Sequence, residues 1–303
     1  MSLRQMEYLV TVVEESSFTR AAEALHVTQS ALSHQIKALE RDVGGPLLER
    51  LPRGVRLTQM GRAFLPDAEL AVRSARQARR SARAAAGADG GELQVATLHG
   101  LALGVLPPAV ARLRALCPQV DVVLREYVSE DELLEHMARG VADVAVGYRP
   151  RAWDGPVWEI GTEEVVLVLP ADDPLCGTGT VKLEQLADRA WVRCGMEPWV
   201  EGRPFLDLVC GRAGFAPRTV LRTEHSTTAA RMAAGGAGVS MISAHLVPAL
   251  VPAEQLLAVD PPWRRPMTAF CRSRAGGAAD VFIRILTDDL SGQGVERSGE
   301  CWS

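Results

Sequence analysis

The first forty residues constrain the fold most. Ser2-Leu3-Arg4-Gln5 has the form of a capping box, with Ser2 as N-cap and Gln5 reaching back from the third helical position. Leu3, Met6, Val10 and Val13 recur at helical spacing, so a first amphipathic helix is expected to end near Ser16. A second follows Ser17, with Phe18, Ala21, Ala22 and Leu25 on one side. After a tight turn at His26-Val27, Thr28 caps a third helix running to about Arg41. This third helix has two faces. Leu32, Ile36 and Leu39 form an apolar stripe, whereas Ser30, Ser33, His34 and Lys37 fall at i, i+3, i+4 and i+7 on another side, joined by Gln29. Most of these polar side chains are short, so the backbone can approach a DNA groove closely. Side chains near the N-terminus then reach base edges, while the helix dipole favours phosphate. A solvated helix face has the same composition, so this face alone leaves both readings open.

The neighbouring segments carry more. Phe18-Thr19-Arg20-Ala21-Ala22-Glu23-Ala24-Leu25, followed by Thr28-Gln29-Ser30-Ala31-Leu32-Ser33-His34-Gln35-Ile36-Lys37-Ala38-Leu39-Glu40, resembles the signature of LysR-type transcriptional regulators. The likeness continues without a gap through Pro46-Leu47-Leu48-Glu49-Arg50, Arg53, Arg56 and Leu57-Thr58-Gln59-Met60-Gly61, and more weakly beyond residue 90. It implies a winged helix-turn-helix over residues 1–58, with Thr28, Gln29, Ser30, Ser33, His34 and Lys37 facing DNA. Arg50, Arg53, Arg56 and Thr58 would add contacts from the wing and its base, where arginines suit phosphates or a narrow minor groove. Leu48 stands where the family commonly has phenylalanine, a change that bears on wing packing, and Gly44-Gly45-Pro46 is expected to loosen the approach to the wing. The implied partners are double-stranded DNA, a small-molecule effector, the transcription machinery and further copies of the chain, as a homodimer or tetramer.

Charge fits that division. The formal net charge is −4, but residues 1–90 carry 13 Lys+Arg against 10 Asp+Glu, and the remainder 20 against 27. A weakly basic head on an acidic body is compatible with DNA binding by the head alone. Met1 to Val10 lacks a basic stretch followed by an apolar run, and no run of 18 apolar residues occurs, so a cytoplasmic chain with no membrane partner is expected. The six cysteines show no CxxC pair and no histidine at zinc spacing, which favours isolated thiols and no metal. A redox pairing of Cys194 with Cys210, which fall in one lobe, stays open.

Thr58 also suits the N-cap of a long helix reaching about Ala86. Along it Phe64, Ala68, Ala71, Ala75, Ala78, Ala82 and Ala85 keep a 4-3-4-3 spacing, the seam of a coiled coil. An alanine-rich stretch can show this spacing by coincidence; the resemblance implies a dimerisation helix over residues 59–88. Arg73, Arg76, Arg79, Arg80 and Arg83 lie off the seam and are expected to stay solvated. Gly87-Ala88-Asp89-Gly90-Gly91 reads as a flexible linker.

From Glu92 strands and helices alternate, so the fold class is α/β overall. Strands are expected at Leu93–Thr97, Val120–Glu126 and Ala142–Gly147, with helices over Gly104–Leu116 and from a capping box at Ser129 to near Gly140. A crossing at Glu164–Pro170 leads to strands near Ala190–Arg193, Thr219–Thr223 and Gly238–Ile242, before Met267–Cys271 and a helix over Ala278–Leu290 return. Two lobes joined by two crossings resemble a periplasmic-binding-protein fold, with residues 91–160 and 266–290 in lobe I, 161–265 in lobe II and a flexible tail over 291–303. Ligands of such sheets sit outside the carboxyl ends of strands. That rule selects Thr97, Leu98, His99, Gly100 and Tyr148 from lobe I, and Arg193, Met196, Ser226 and Thr227 from lobe II, for a small organic effector. The hydroxyls of Ser226 and Thr227 suit an anionic group, or serve only as helix caps. His99 reads as a pocket-lining residue rather than a catalyst. Gly235-Gly236-Ala237-Gly238 sits between a helix and a strand and lacks the lysine of a phosphate loop, so no nucleotide site is expected there.

No G-x-S-x-G, no H-E-x-x-H and no metal-spaced cluster points to an enzyme or a cofactor. A plain solute-binding protein would share the C-terminal body but not the head. The expectation is a sequence-specific DNA-binding regulator that responds to an effector.

Overall fold

The computed structural model describes all residues except 52, 53, 86–90, 196, 198, 201 and 292–303, so the linker expected over residues 87–91 and the tail lie largely outside the described residues. The chain forms two compact units: Met1–Ala88 with Ala138–Val141, and Asp89–Met137 with Ala142–Ser303.

In the first unit, α1 (Leu3–Glu15) opens on the Ser2 capping box, where the Gln5 amide donates to Ser2 Oγ at 3.3 Å and the Ser2 amide donates to Gln5 Oε1 at 2.8 Å. It stops at Ser16, whose left-handed φ of 50° turns the chain. Ser17 caps α2 (Phe18–Ala24), and a turn with His26 at φ 54° leads to α3 (Gln29–Val43), capped by Thr28. Leu9, Val12, Leu32 and Leu39 are fully buried, so the apolar stripe of α3 closes a three-helix core. The wing pairs β1 (Leu48–Arg50) with β2 (Val55–Leu57) in antiparallel register. Leu48 is buried in the same core.

The approach to this wing is not loose. Gly44, at φ 94°, ends α3, and the backbone amides of Gly44 and Gly45 both donate to the Glu40 carbonyl. Glu40 Oε1 accepts from the amides of Leu47 and Leu48 at 2.9 and 3.2 Å. Those bonds fix the segment that the glycines were expected to loosen.

The long helix α4 spans Gln59–Ala85 and runs through Pro66. Gly61 lets it sit against the wing, because a Cβ there would overlap the Leu47 carbonyl. α4 packs along α1, with Arg76 reaching Glu7 at 2.6 Å. Phe64 packs on the three-helix core, and Ala68 and Val72 are buried. The beginning of the expected seam therefore lies inside the chain's own fold, and Arg76 is ion-paired rather than merely solvated. Ala71 and Ala75 are half-buried, while Ala78 and Ala82 are exposed.

The second unit is α/β. Lobe I contains β3 (Gly91–Leu98), α5 (His99–Gly104), α6 (Leu106–Leu116), β4 (Val120–Tyr127), α7 (Glu130–Ala138), β5 (Val144–Tyr148) and the start of β6 (Val157–Val168). The helix expected over Gly104–Leu116 is α6, which starts at Leu106, and a short helix that was not expected, α5, precedes it. Pro107 and Pro108 fit only the first turn of a helix, so α6 begins there and α5 forms separately. Lobe II contains β7 (Thr180–Val181), β8 (Ala190–Cys194), β9 (Trp199–Val200), β10 (Arg203–Pro204), α8 (Phe205–Arg212), β11 (Arg218–Thr223), α9 (Ser226–Met232), β12 (Ser240–Ser243) and β13 (Leu256–Val259). The chain returns through β14 (Arg264–Phe270) and α10 (Ala278–Ser291).

One sheet runs through both lobes in the order β4-β3-β5-β14-β6-β13-β7, with β12 also on β6. β3 is parallel to β4 and β5, whereas β14 is antiparallel to β5 and β6. β6 does double duty: Val157–Glu164 pairs with β14, and Val165–Val168 pairs with β12. It begins in lobe I, well before the crossing expected at Glu164. Lobe I buries Leu113, Val144, Val146, Phe282 and Leu286; lobe II buries Leu167, Leu186, Trp191 and Val209.

Candidate functional site

On α3 the residues singled out as DNA-facing form one outward strip. Thr28, Gln29, Ser30, His34 and Lys37 are exposed, and Ser33 is half-buried. Thr28 Oγ1 accepts from the Ala31 amide at 3.3 Å and lies 3.2 Å from Ser30 Oγ, so the helix start is ordered by its own hydroxyls. Gln35 bonds Gln5 at 3.2 Å, tying α3 to α1. On the wing, Arg56 pairs with Glu49 at 2.7 Å; both are exposed, so the pair is weak and exchangeable. The backbone of Arg50 lies in β1, while Arg53 is outside the described residues. Thr58 is already engaged within the fold. Its hydroxyl donates to the Pro46 carbonyl at 2.7 Å and accepts from the Gly61 amide at 2.9 Å. It caps α4 and clamps the wing base rather than offering a hydroxyl to DNA.

The residues at the carboxyl ends of the strands divide. Thr97 is fully buried, and its hydroxyl donates to the Val146 carbonyl at 2.9 Å, so it stitches β3 to β5 and lines no crevice. Leu98 packs partly into the lobe I core. His99 is half-buried, with Nδ1 2.6 Å from Glu126 Oε2, and its ring lies 5.5 Å from that of His225 in lobe II. Gly100 packs near Leu246 and bonds His245, whose imidazole burial pushes down to about 4. Tyr148 is half-buried under the Arg265 guanidinium, and desolvation with the nearby Glu163 charge raises its hydroxyl well above the ordinary range.

In lobe II Arg193 does not wait for a ligand. It is buried, Nε stands 2.9 Å from Glu197 Oε1, and its guanidinium also pairs with Asp207. Two carboxylates already answer its charge. Burial raises Glu197, the backbone bond from Leu206 and the Arg193 charge opposing it. Met196 lies outside the described residues. Ser226 and Thr227 are half-buried in the first turn of α9, but the cap position falls on His225, so neither residue is the N-cap.

The crevice thus presents His99 and Glu126 from one lobe and His225 from the other. Sequence reasoning misses Glu126 because it does not follow the strand-end rule along β4, and it misses His225 because, after β11, it stops at the neighbouring hydroxyls of Ser226 and Thr227. Among the described residues no group of three His, Cys, Asp or Glu is placed to hold a metal, and no helix is long and apolar enough to cross a membrane. No disulfide joins the described cysteines, and burial pushes the thiols of Cys210 and Cys271 up to about 12.

Comparison with known proteins accords with this division of the chain. The bacterial regulatory helix-turn-helix model of the lysR family matches residues 3–62, and the LysR substrate binding domain matches residues 86–291. The transcriptional regulator AlsR of Bacillus subtilis is 30% identical over 245 residues, 80% of each chain. A full-length OxyR variant from Pseudomonas aeruginosa has a TM-score of 0.71 and 25% identity, covering 96% of this chain and 97% of its own. Full-length CbnR complexed with its target DNA gives 0.65 and 26%, covering 97% and 100%. With a matching head and a matching substrate-binding domain in the same order, the chain belongs to the LysR family of transcriptional regulators.

Proposed function

We propose that α3 reads base edges in a major groove through Gln29, Ser30, Ser33, His34 and Lys37, with Thr28 ordering its start and the wing arginines Arg50, Arg53 and Arg56 on phosphates. The observation that carries this reading is the continuous polar strip of α3, outward and opposite a fully buried stripe. A relative of similar fold, CbnR, has been seen complexed with its target DNA. Two heads are held together by the later seam of α4, through Ala71, Ala75, Ala78 and Ala82. That spacing suits two half-sites on DNA, as a homodimer or as part of a tetramer in the cytoplasm, where the protein meets the transcription machinery.

A small organic effector occupies the crevice at Leu98, His99, Gly100, Tyr148, Ser226 and Thr227, with Glu126 and His225 added to that set. The imidazoles and hydroxyls supply hydrogen-bond donors that suit an anion. Binding must favour one lobe arrangement over another to alter DNA affinity or bending. The protein acts by binding, with no cofactor and no catalytic step.

Selection of DNA from a random duplex pool by the purified full-length protein tests this function. An interrupted inverted repeat is the expected product. Absence of enrichment at moderate salt would contradict it and favour a solute-binding protein with an idle head.

A further inference from the structure

The strands that join the lobes carry a polar cluster that shares only Tyr148 with the proposed effector crevice. Glu163 on β6 stands directly opposite Arg265 on β14, at the end of their shared ladder. Its side chain is 5% exposed. It accepts a hydrogen bond from the Tyr148 hydroxyl on β5, but its Oε2 has no hydrogen-bond partner. Arg265 does not serve Glu163 alone, because its guanidinium lies 3.4 Å over the Tyr148 ring and pairs with Glu130 on α7. The groups that bear on Glu163 are therefore Tyr148, Arg265 and Glu130, from three different elements. The next cross-strand pair, Glu164 with Arg264, alternates to the other face of the sheet.

A buried carboxylate with one bond and a shared cation is poorly solvated as an anion. Desolvation pushes Glu163 up to about 7, against the lowering influence of the Tyr148 bond and the Arg265 charge, while Glu130 adds to the rise. Its position matters as much. Two residues along β6, pairing passes from β14 in lobe I to β12 in lobe II.

We infer that Glu163, with Tyr148, Arg265 and Glu130, is a proton-operated element of the interlobe hinge: neutral Glu163 holds β6 against β14, and ionised Glu163 loosens them. Its consequence for regulation, a response to effector that weakens or strengthens as pH crosses neutrality, rests on the effector reading above. The hinge behaviour itself does not. The sign follows from linkage. A carboxyl whose folded pKa lies above its unfolded value favours the native state below the unfolded value and loses that contribution as pH rises through the folded one.

Hydrogen exchange of the full-length protein, corrected for intrinsic rates, tests the hinge without DNA or effector. Between about pH 6 and pH 8, protection in peptides covering residues 157–168 and 264–270 is expected to fall by about tenfold in the native protein. In Glu163→Gln it is expected to stay level. Tyr148→Phe removes the bond that favours the anion, so the loss of protection should continue to higher pH and its midpoint should move up. Equal pH dependence in the native protein and Glu163→Gln, or an unmoved midpoint in Tyr148→Phe, would overturn the switch. Should Glu163→Gln fold poorly, the Tyr148→Phe midpoint decides alone. DNA selection on the same preparations reports separately on the regulator reading, so the two failures are distinguishable.

Discussion

Glu40 shows how much of the DNA-binding head depends on single acceptors. Its Oε1 accepts two backbone amides at the entrance to the wing, so Glu40→Ala would leave both without their partner. We expect a loss of about 1–3 kcal/mol in denaturant unfolding, with Glu40→Gln losing less because it keeps the acceptor. His245 contributes to the acid sensitivity of the second unit. Its folded pKa of about 4 lies below the ordinary value, so the unfolded chain binds the proton more readily. Stability is then full above about pH 6.5 and lost as pH falls toward 4, at up to about 1.4 kcal/mol per unit. Thermal midpoints should decline less steeply over that window in His245→Asn than in the native protein. The sequence revealed such residues unevenly. Strand-end logic placed Thr97 and Arg193 near the crevice, but it could not see that a carbonyl and two carboxylates had already claimed them. Glu163 and Arg265 carry no local signal at all, since their pairing depends on strands far apart in the chain.

Among the elements, α4 separates two roles that one periodicity had merged. Heptad spacing identifies an apolar face, but not whether that face meets the chain's own α1 or a second copy. Phe64 and Ala68 belong to the internal contact, and Ala78 lies beyond it, exposed. Ala68→Glu is therefore expected to cost several kcal/mol, about 2–4, by burying a charge. Ala78→Glu should leave the thermal midpoint of the head nearly unchanged, yet shift sedimentation toward a smaller species. If Ala78→Glu sediments like the native protein, the seam is not where copies meet. Capping boxes and prolines are the most legible local signals. Ser2 with Gln5 delimits α1 as expected, whereas Pro107 and Pro108, which apolar periodicity alone passes over, explain why α5 and α6 are separate helices.

For the whole molecule, the order of head, long helix and two-lobed body was legible because the motifs of residues 18–61 run without a gap. The crossing expected at Glu164 falls where pairing passes from β14 to β12; what was not legible is that one strand, β6, continues through it from Val157, since alternation along one strand says nothing of its partners. In the proposed function, α3 carries sequence discrimination while the wing carries charge. Anisotropy titrations of the full-length protein, on a selected duplex and a scrambled one, test it most directly at salt from about 50 to 200 mM. Gln29→Ala should reduce the preference for the selected duplex by about tenfold and leave the salt slope unchanged. Arg56→Ala should weaken both duplexes alike and lower the slope by about one. A Gln29→Ala protein that also carries Ser30→Ala and His34→Ala, is folded, and still keeps the full preference would rule out α3 as the reading helix, because sequence would then be read from another surface.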